Sequence, residues 1–133
     1  MSTGSCRCGG VKFTYKGDPV ATAVCHCLDC RKTSGSAYGI SVMIPAGNFE
    51  VSGTPSTFIS KAESGNMVTS HFCSKCGTTL WVDGPAVLLK FVKAGVLDDP
   101  NALDTAKPVM ELYTCRRAGW LPALGGCQQK ERM

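Results

Sequence analysis

Cys25-His26-Cys27-Leu28-Asp29-Cys30-Arg31-Lys32-Thr33-Ser34-Gly35 places three thiols within six residues and follows them with two cations and a Ser-Gly turn. Thiolates are zinc ligands, and gathering them in one short loop lowers the entropy cost of assembling them around an ion. A structural zinc normally closes with four protein ligands, whereas a catalytic zinc keeps three and leaves a position open. This stretch supplies three sulfurs and no local fourth, so its spacing points to an ion with a vacancy. One helical turn is expected over residues 28–33.

Outward from that loop the chain reads as strands punctuated by Gly and Pro. Residues 11–15 alternate apolar and polar, 20–24 deliver the chain to Cys25, and 37–44 form an apolar run ending at Pro45. Further strands are expected over residues 48–52, 56–60, 67–72, 78–82, 86–92 and 109–114, with a polar hairpin loop at 61–66. Asp83-Gly84-Pro85 reads as a turn, and residues 100–103 as a short helical turn. No repeat and no long helix interrupts the pattern, so the fold class is all-β or β-rich with short helical turns. Trp120 is a candidate anchor for the C-terminal segment, and the polar residues 125–133 read as a frayed tail.

The chain of 133 residues reads as one domain, its core spanning about residues 4–122. Hydrophobic content of 44% with 18% charged residues belongs to a folded domain, and no apolar run is long enough to cross a membrane. A net charge of +4 suits a small anionic substrate and is too mild and too scattered to argue for nucleic acid. Nine cysteines, spaced as Cys-x-Cys, Cys-x-Cys-x-x-Cys and Cys-x-x-Cys, fit metal ligation better than a disulfide framework. With a polar, thiol-bearing segment at Met1–Cys8, the expected compartment is the reducing cytoplasm.

The remaining motif cysteines sort themselves by spacing. Cys6 and Cys8 sit in a glycine-flanked turn, and Cys73 and Cys76 form a knuckle in which Gly77 supplies the positive φ such turns need. Together they make a Cys₄ set, the composition of a closed structural zinc that would tie a long loop at its base. Cys25, Cys27 and Cys30 remain as a three-ligand second site, giving two Zn²⁺ per chain. Three thiolates on Zn²⁺ carry a net charge of −1 and leave an exchangeable position suited to an incoming thiol. A thiolate is a nucleophile, and a carbonyl carbon is the natural electrophile for it.

Arg31, Lys32 and Ser34 follow the ligands closely enough to hold a carboxylate-bearing thiol, or else form an ordinary solvated run. His26, Asp29 and His71 all stand as possible proton acceptors, and the sequence does not choose among them. Trp81 reads as core. Cys115 and Cys127 fall outside the metal spacings and read as a small buried hydrophobe and a tail thiol, although Cys115 could also close the second site. Arg116-Arg117 reads as a surface pair.

The motifs at Gly4–Val11, Cys25–Gly35, Phe72–Leu80, Gly95–Pro100 and Tyr113–Trp120 together resemble the glutathione-dependent formaldehyde-activating enzyme family, which also includes centromere protein V. Arg7 departs from the His frequent at that position in relatives. The resemblance implies an Mss4-like zinc-binding β-sandwich or tent. It also implies a structural zinc on Cys6, Cys8, Cys73 and Cys76, and a second zinc on Cys25, Cys27 and Cys30. The implied activity is that of a carbon–sulfur lyase condensing formaldehyde with glutathione. The expected partners are therefore a glutathione-like thiol and a small carbonyl compound, with no nucleic acid or membrane and with homodimerisation left open. A non-enzymatic zinc module of the same fold is the alternative.

Overall fold

Strands are the main regular element of the chain, as seen in the computed structural model, which describes residues 1–85 and 87–133 and every strand side chain but that of Val87. The strand start expected at Ala86 lies outside the described residues. Strands β1 (Ser2–Ser5), β2 (Lys12–Tyr15) and β5 (Phe49–Ser52) pair antiparallel in the order β1-β2-β5. The larger sheet contains β3 (Ala21–Cys25), β4 (Gly39–Pro45), β6 (Ser56–Lys61) and β7 (Met67–Phe72). It also contains β8 (Thr79–Gly84), β9 (Val87–Lys93), β10 (Met110–Leu112) and β11 (Gln128–Gln129). Its order is β11-β10-β3-β4-β9-β8-β7-β6, antiparallel except where β10 runs parallel to β3 and β11. Two short helices, α1 (Leu28–Ser34) and α2 (Ala102–Thr105), complete the fold.

A period of two assigns each residue of the large sheet to one of its two faces. On β4, Ile40, Val42 and Ile44 belong to one face; Val42 pairs with Val92 of β9 and joins it in the core. That face packs on the small sheet through Phe13, Tyr15, Phe49 and Trp81, with Phe13–Phe49 ring centroids 5.1 Å apart and Phe49–Trp81 4.9 Å apart. Gly4 is needed for this closeness, because a Cβ there would stand 2.1 Å from the Phe13 ring. The opposite face carries Ala23, Met43, Phe91 and Leu112, which cluster with Cys27 and Tyr113. The two cores are therefore separated by the sheet itself.

Strands reach beyond the core expected at 4–122. β1 begins at Ser2, and the polar tail contributes β11 rather than fraying. The physical reason is Glu111, an acid 1% exposed in β10. It accepts from Gln129 Nε2 at 2.7 Å, Leu124 N at 2.8 Å and His26 Nε2 at 2.8 Å, with Arg117 beside it at 3.3 Å. Such a buried carboxylate requires donors, and the tail brings one of them in Gln129, just after the Leu124 N–H. Trp120 is 78% exposed and anchors nothing, so Glu111 does what was expected of the indole. The strand expected over 109–114 stops at Leu112, because Tyr113 turns left-handed with φ 53°. Cys115 is exposed rather than buried. Among the described residues no helix is long and apolar enough to cross a membrane.

Candidate metal centres and the cavity between them and solvent

Cys6, Cys8, Cys73 and Cys76 bring four sulfurs within 4.8 Å of one another. Cys8 Sγ lies 3.6 Å from both Cys6 Sγ and Cys73 Sγ. A tetrahedral ion with metal–sulfur bonds of ~2.3 Å needs sulfurs about 3.8 Å apart, so the set fits zinc. Both turns are held by backbone bonds, Gly9 N to Cys6 O at 3.0 Å and Gly77 N to Cys73 O at 2.8 Å. Gly77 has the φ of 77° that the knuckle requires. Cys6 and Cys73 are each 3% exposed and belong to the core between the sheets. The Thr78 hydroxyl and N–H draw the Cys76 thiol down to about 5, favouring the ligand form.

Cys25, Cys27 and Cys30 form a second set with sulfurs within 4.8 Å. Cys25 ends β3, and Cys27 caps α1 by accepting from Cys30 N at 3.3 Å, which turns Cys30 back toward its partners. The helix stops after two turns at left-handed Gly35, whose N–H reaches Arg31 O at 2.8 Å. Hydrogen bonds from Cys25 and Cys30 hold the Cys27 thiol far below its ordinary range, and the same sharing pushes Cys25 up. Three soft sulfurs sharing negative charge form a fitting donor set for zinc. Among the described residues no fourth ligand joins them, and Cys115 lies outside the set.

This second set opens into a cavity of about 370 Å³ on the free face of the large sheet. Met43, Phe58, Val82, Phe91 and Leu112 give it apolar walls, and Lys32, Lys93 and Tyr113 add polar groups. The β6–β7 loop forms one rim and is fixed by Glu63. Its N–H reaches Asp29 Oδ2 at 2.7 Å, and its carboxylate accepts from Leu28 N at 3.1 Å and Arg116 Nε at 2.8 Å. A larger cavity of about 520 Å³ near Tyr15 and Asp99 contains no cysteine and offers no comparable chemistry.

The residues expected near the second site fall in different places. Lys32 lines the cavity, whereas Arg31 and Ser34 are exposed outside its lining. Ser34 Oγ donates to Cys30 O at 2.7 Å and so helps to close the helix. Asp29 lines the cavity but is engaged by the Glu63 N–H. His26 is 1% exposed, bound to Glu111 and so occupied away from the cavity. His71 stacks on Trp81 at 4.4 Å and bonds Asp83 at 2.9 Å, on the face opposite the cavity-lining Ser70 and Val82. Arg116 and Arg117 are ion-paired to Glu63 and Glu111 rather than being a plain surface pair.

Sequence reading missed Lys93, Tyr113, Glu63 and Glu111. Lys93 follows Phe91 by two on β9, so alternation from an apolar strand would have placed it on the cavity face. It forms no ion pair with a carboxylate among the described residues, and its charge only partly offsets the rise that sharing with Cys27 and burial impose on the Cys30 thiol. Gly39 on β4 lies beside both: a Cβ there would make ordinary contacts with Cys30 Cβ at 3.4 Å and Lys93 Nζ at 3.8 Å. Burial, and then the negative charge of Cys27, push the Tyr113 phenol up.

A family described as "Glutathione-dependent formaldehyde-activating enzyme" matches residues 1–116. A curated Halomonas elongata protein, provisionally named for the same activity, is 38% identical over 87 residues. That match spans 62% of this chain and only 55% of the relative, about half its length. A solved Rhodobacter sphaeroides protein superposes with a TM-score of 0.61 over 80% of this chain and 96% of that one. At 17% identity this likeness bears on the fold alone. Since the family match covers all but the last 17 of 133 residues, the chain belongs to the glutathione-dependent formaldehyde-activating enzyme family.

Proposed function

We propose that this chain is a zinc-dependent enzyme that forms or cleaves a carbon–sulfur bond between a glutathione-like thiol and a small carbonyl compound such as formaldehyde. One observation carries the reading: three sulfurs, with no fourth ligand among the described residues, lie in the wall of a cavity large enough for a small molecule. Zinc held by Cys25, Cys27 and Cys30 would supply an open position that favours an incoming thiol in its thiolate form. Lys93 and Lys32 place positive charge beside that position, where it can pair with the carboxylates of the thiol. The apolar walls formed by Met43, Phe91 and Leu112 exclude water from the approach of the carbonyl carbon. Cys6, Cys8, Cys73 and Cys76 would hold the other, structural zinc and stabilise the fold. A cytoplasmic setting suits both sets, because reduced thiols are what they need.

The test combines metal analysis with glutathione titration of the cobalt-substituted protein. Two metals per chain, with the visible spectrum of one site changing as glutathione is added, are expected. A single inert metal would overturn the enzyme reading and leave the zinc-binding interaction module.

A further inference from the structure

Tyr113 is the one non-glycine residue with positive φ, 53°, among the described residues. For an aromatic side chain this backbone is costly, and such strain persists where the surroundings impose it. Its effect is visible in the packing. Leu112 and Tyr113 are consecutive, yet both lie in the cluster on the cavity face, which an extended strand would forbid. The left-handed turn swings the phenol to the same side as Leu112, which pairs in register with Cys25. Backbone bonds hold it there: His26 N to Leu112 O at 3.0 Å, Thr114 N to Lys130 O at 3.0 Å, and Arg116 N to Tyr113 O at 2.9 Å.

The ring is 4% exposed and lines the cavity together with Cys25, Cys27 and Cys30. Its hydroxyl makes no hydrogen bond to protein among the described residues and is not sealed from solvent, so it is open to the cavity that the residue lines. Asp29 and His71 are engaged elsewhere, and His26 is buried with its Nε2 on Glu111 and its Nδ1 unpartnered among the described residues. A phenol hydroxyl with no protein partner among the described residues thus lies in the cavity wall beside the sulfurs.

Resting on the thiol–carbonyl reading of this cavity, we propose that Tyr113 is a catalytic residue whose O–H donates a hydrogen bond to the carbonyl oxygen. The thiolate sulfur supplies the electron pair of the new C–S bond, and the C=O π pair moves onto oxygen. Tyr113 O–H stabilises the charge gathering there. The proton lost when the thiol ionised returns to that oxygen through water, so thiol plus aldehyde gives the hydroxyalkyl thioether with nothing oxidised or reduced. Cleavage retraces the same path with the same donor.

The test is Tyr113→Phe, which keeps the ring and removes only the hydroxyl. Stopped-flow consumption of formaldehyde with glutathione should fall about 100-fold in kcat. The glutathione dissociation constant, read from the visible spectrum of the cobalt-substituted protein, should stay within about twofold of wild type. Unchanged kcat with a normal thiol response would overturn the role of Tyr113 and leave the thiol–carbonyl reading standing. Loss of thiol response and metal in the variant would also overturn it, by showing a merely structural part. A wild-type spectrum indifferent to glutathione would remove the reading on which the proposal rests.

Discussion

Cys6, Cys8, Cys73 and Cys76 come from two turns some 65 residues apart and meet at the edge of the core between the sheets. Cys25, Cys27 and Cys30 come from one loop and meet on the opposite face, against a cavity. Both sets offer the same ligand atom, so ligand type does not separate their roles. Enclosure does. A four-sulfur set that joins distant segments couples metal binding to folding, because the apo form must close a long loop without it. A three-sulfur set on a preformed strand-loop-helix closes almost no loop, so its metal contributes little to the fold and keeps a position for exchange.

The strongest way to break this comparison is to remove one sulfur from each set. Cys73→Ser should lose one zinc and most of the cooperative thermal transition, because metal binding and loop closure fail together. Cys27→Ser should also lose one zinc but keep a melting free energy within about 1 kcal/mol of wild type, since serine is itself a good helix N-cap. Thiol response and turnover should vanish in that variant. Equal loss of stability in the two variants, measured by thermal melting with metal analysis, would erase the distinction. A chelator offers the same contrast without mutation: the metal of the three-sulfur site should leave first, with circular dichroism unchanged.

A smaller effect concerns the link between the cavity loop and the tail. Glu111 is held down to about 2 despite its burial, by Gln129, His26, Leu124 N–H and Arg117. A depressed folded value contributes stability above the unfolded value near 4.5, and that stability disappears as the pH falls through about 2. Wild-type stability should therefore decline between pH 4.5 and 2 by on the order of 3 kcal/mol. Glu111→Gln should be about 1–3 kcal/mol less stable at neutral pH and flatter across that window. Denaturant titrations at several pH values would measure both, and parallel curves for the two proteins would refute the assignment.

The smallest effect sharpens the open site itself. Lys93→Met should weaken glutathione binding about tenfold and leave a thiol without carboxylates, such as 2-mercaptoethanol, nearly unaffected. Arg31→Ala, outside the cavity, should change neither. A titration showing the reverse order would move the anion-binding role from the strand to the helix.

Much of this was legible in the sequence, for reasons that can be named. Cys-x-Cys and Cys-x-x-Cys spacings are local and covalent, so the two sulfur sets could be sorted before any fold was known. Strand positions followed from alternation around Phe13, from the apolar run that holds Met43 and from the turn that precedes the strand of Phe91. The tail was misread because Gln128 and Gln129 are polar, and their pairing depends on Glu111, 18 residues upstream of Gln129. Trp120 was misread because size and apolarity say nothing about whether a partner surface is near.

The residues alone determined how many sulfurs each site could muster and that strands would carry them. Only the tertiary structure decided that the two sets lie on opposite sides of one sheet, and that Lys93 and Tyr113 share a cavity with the second. These facts depend on strand order and on a single left-handed backbone turn at Tyr113. Both arise from contacts between segments distant in the chain, which spacing along the sequence does not encode.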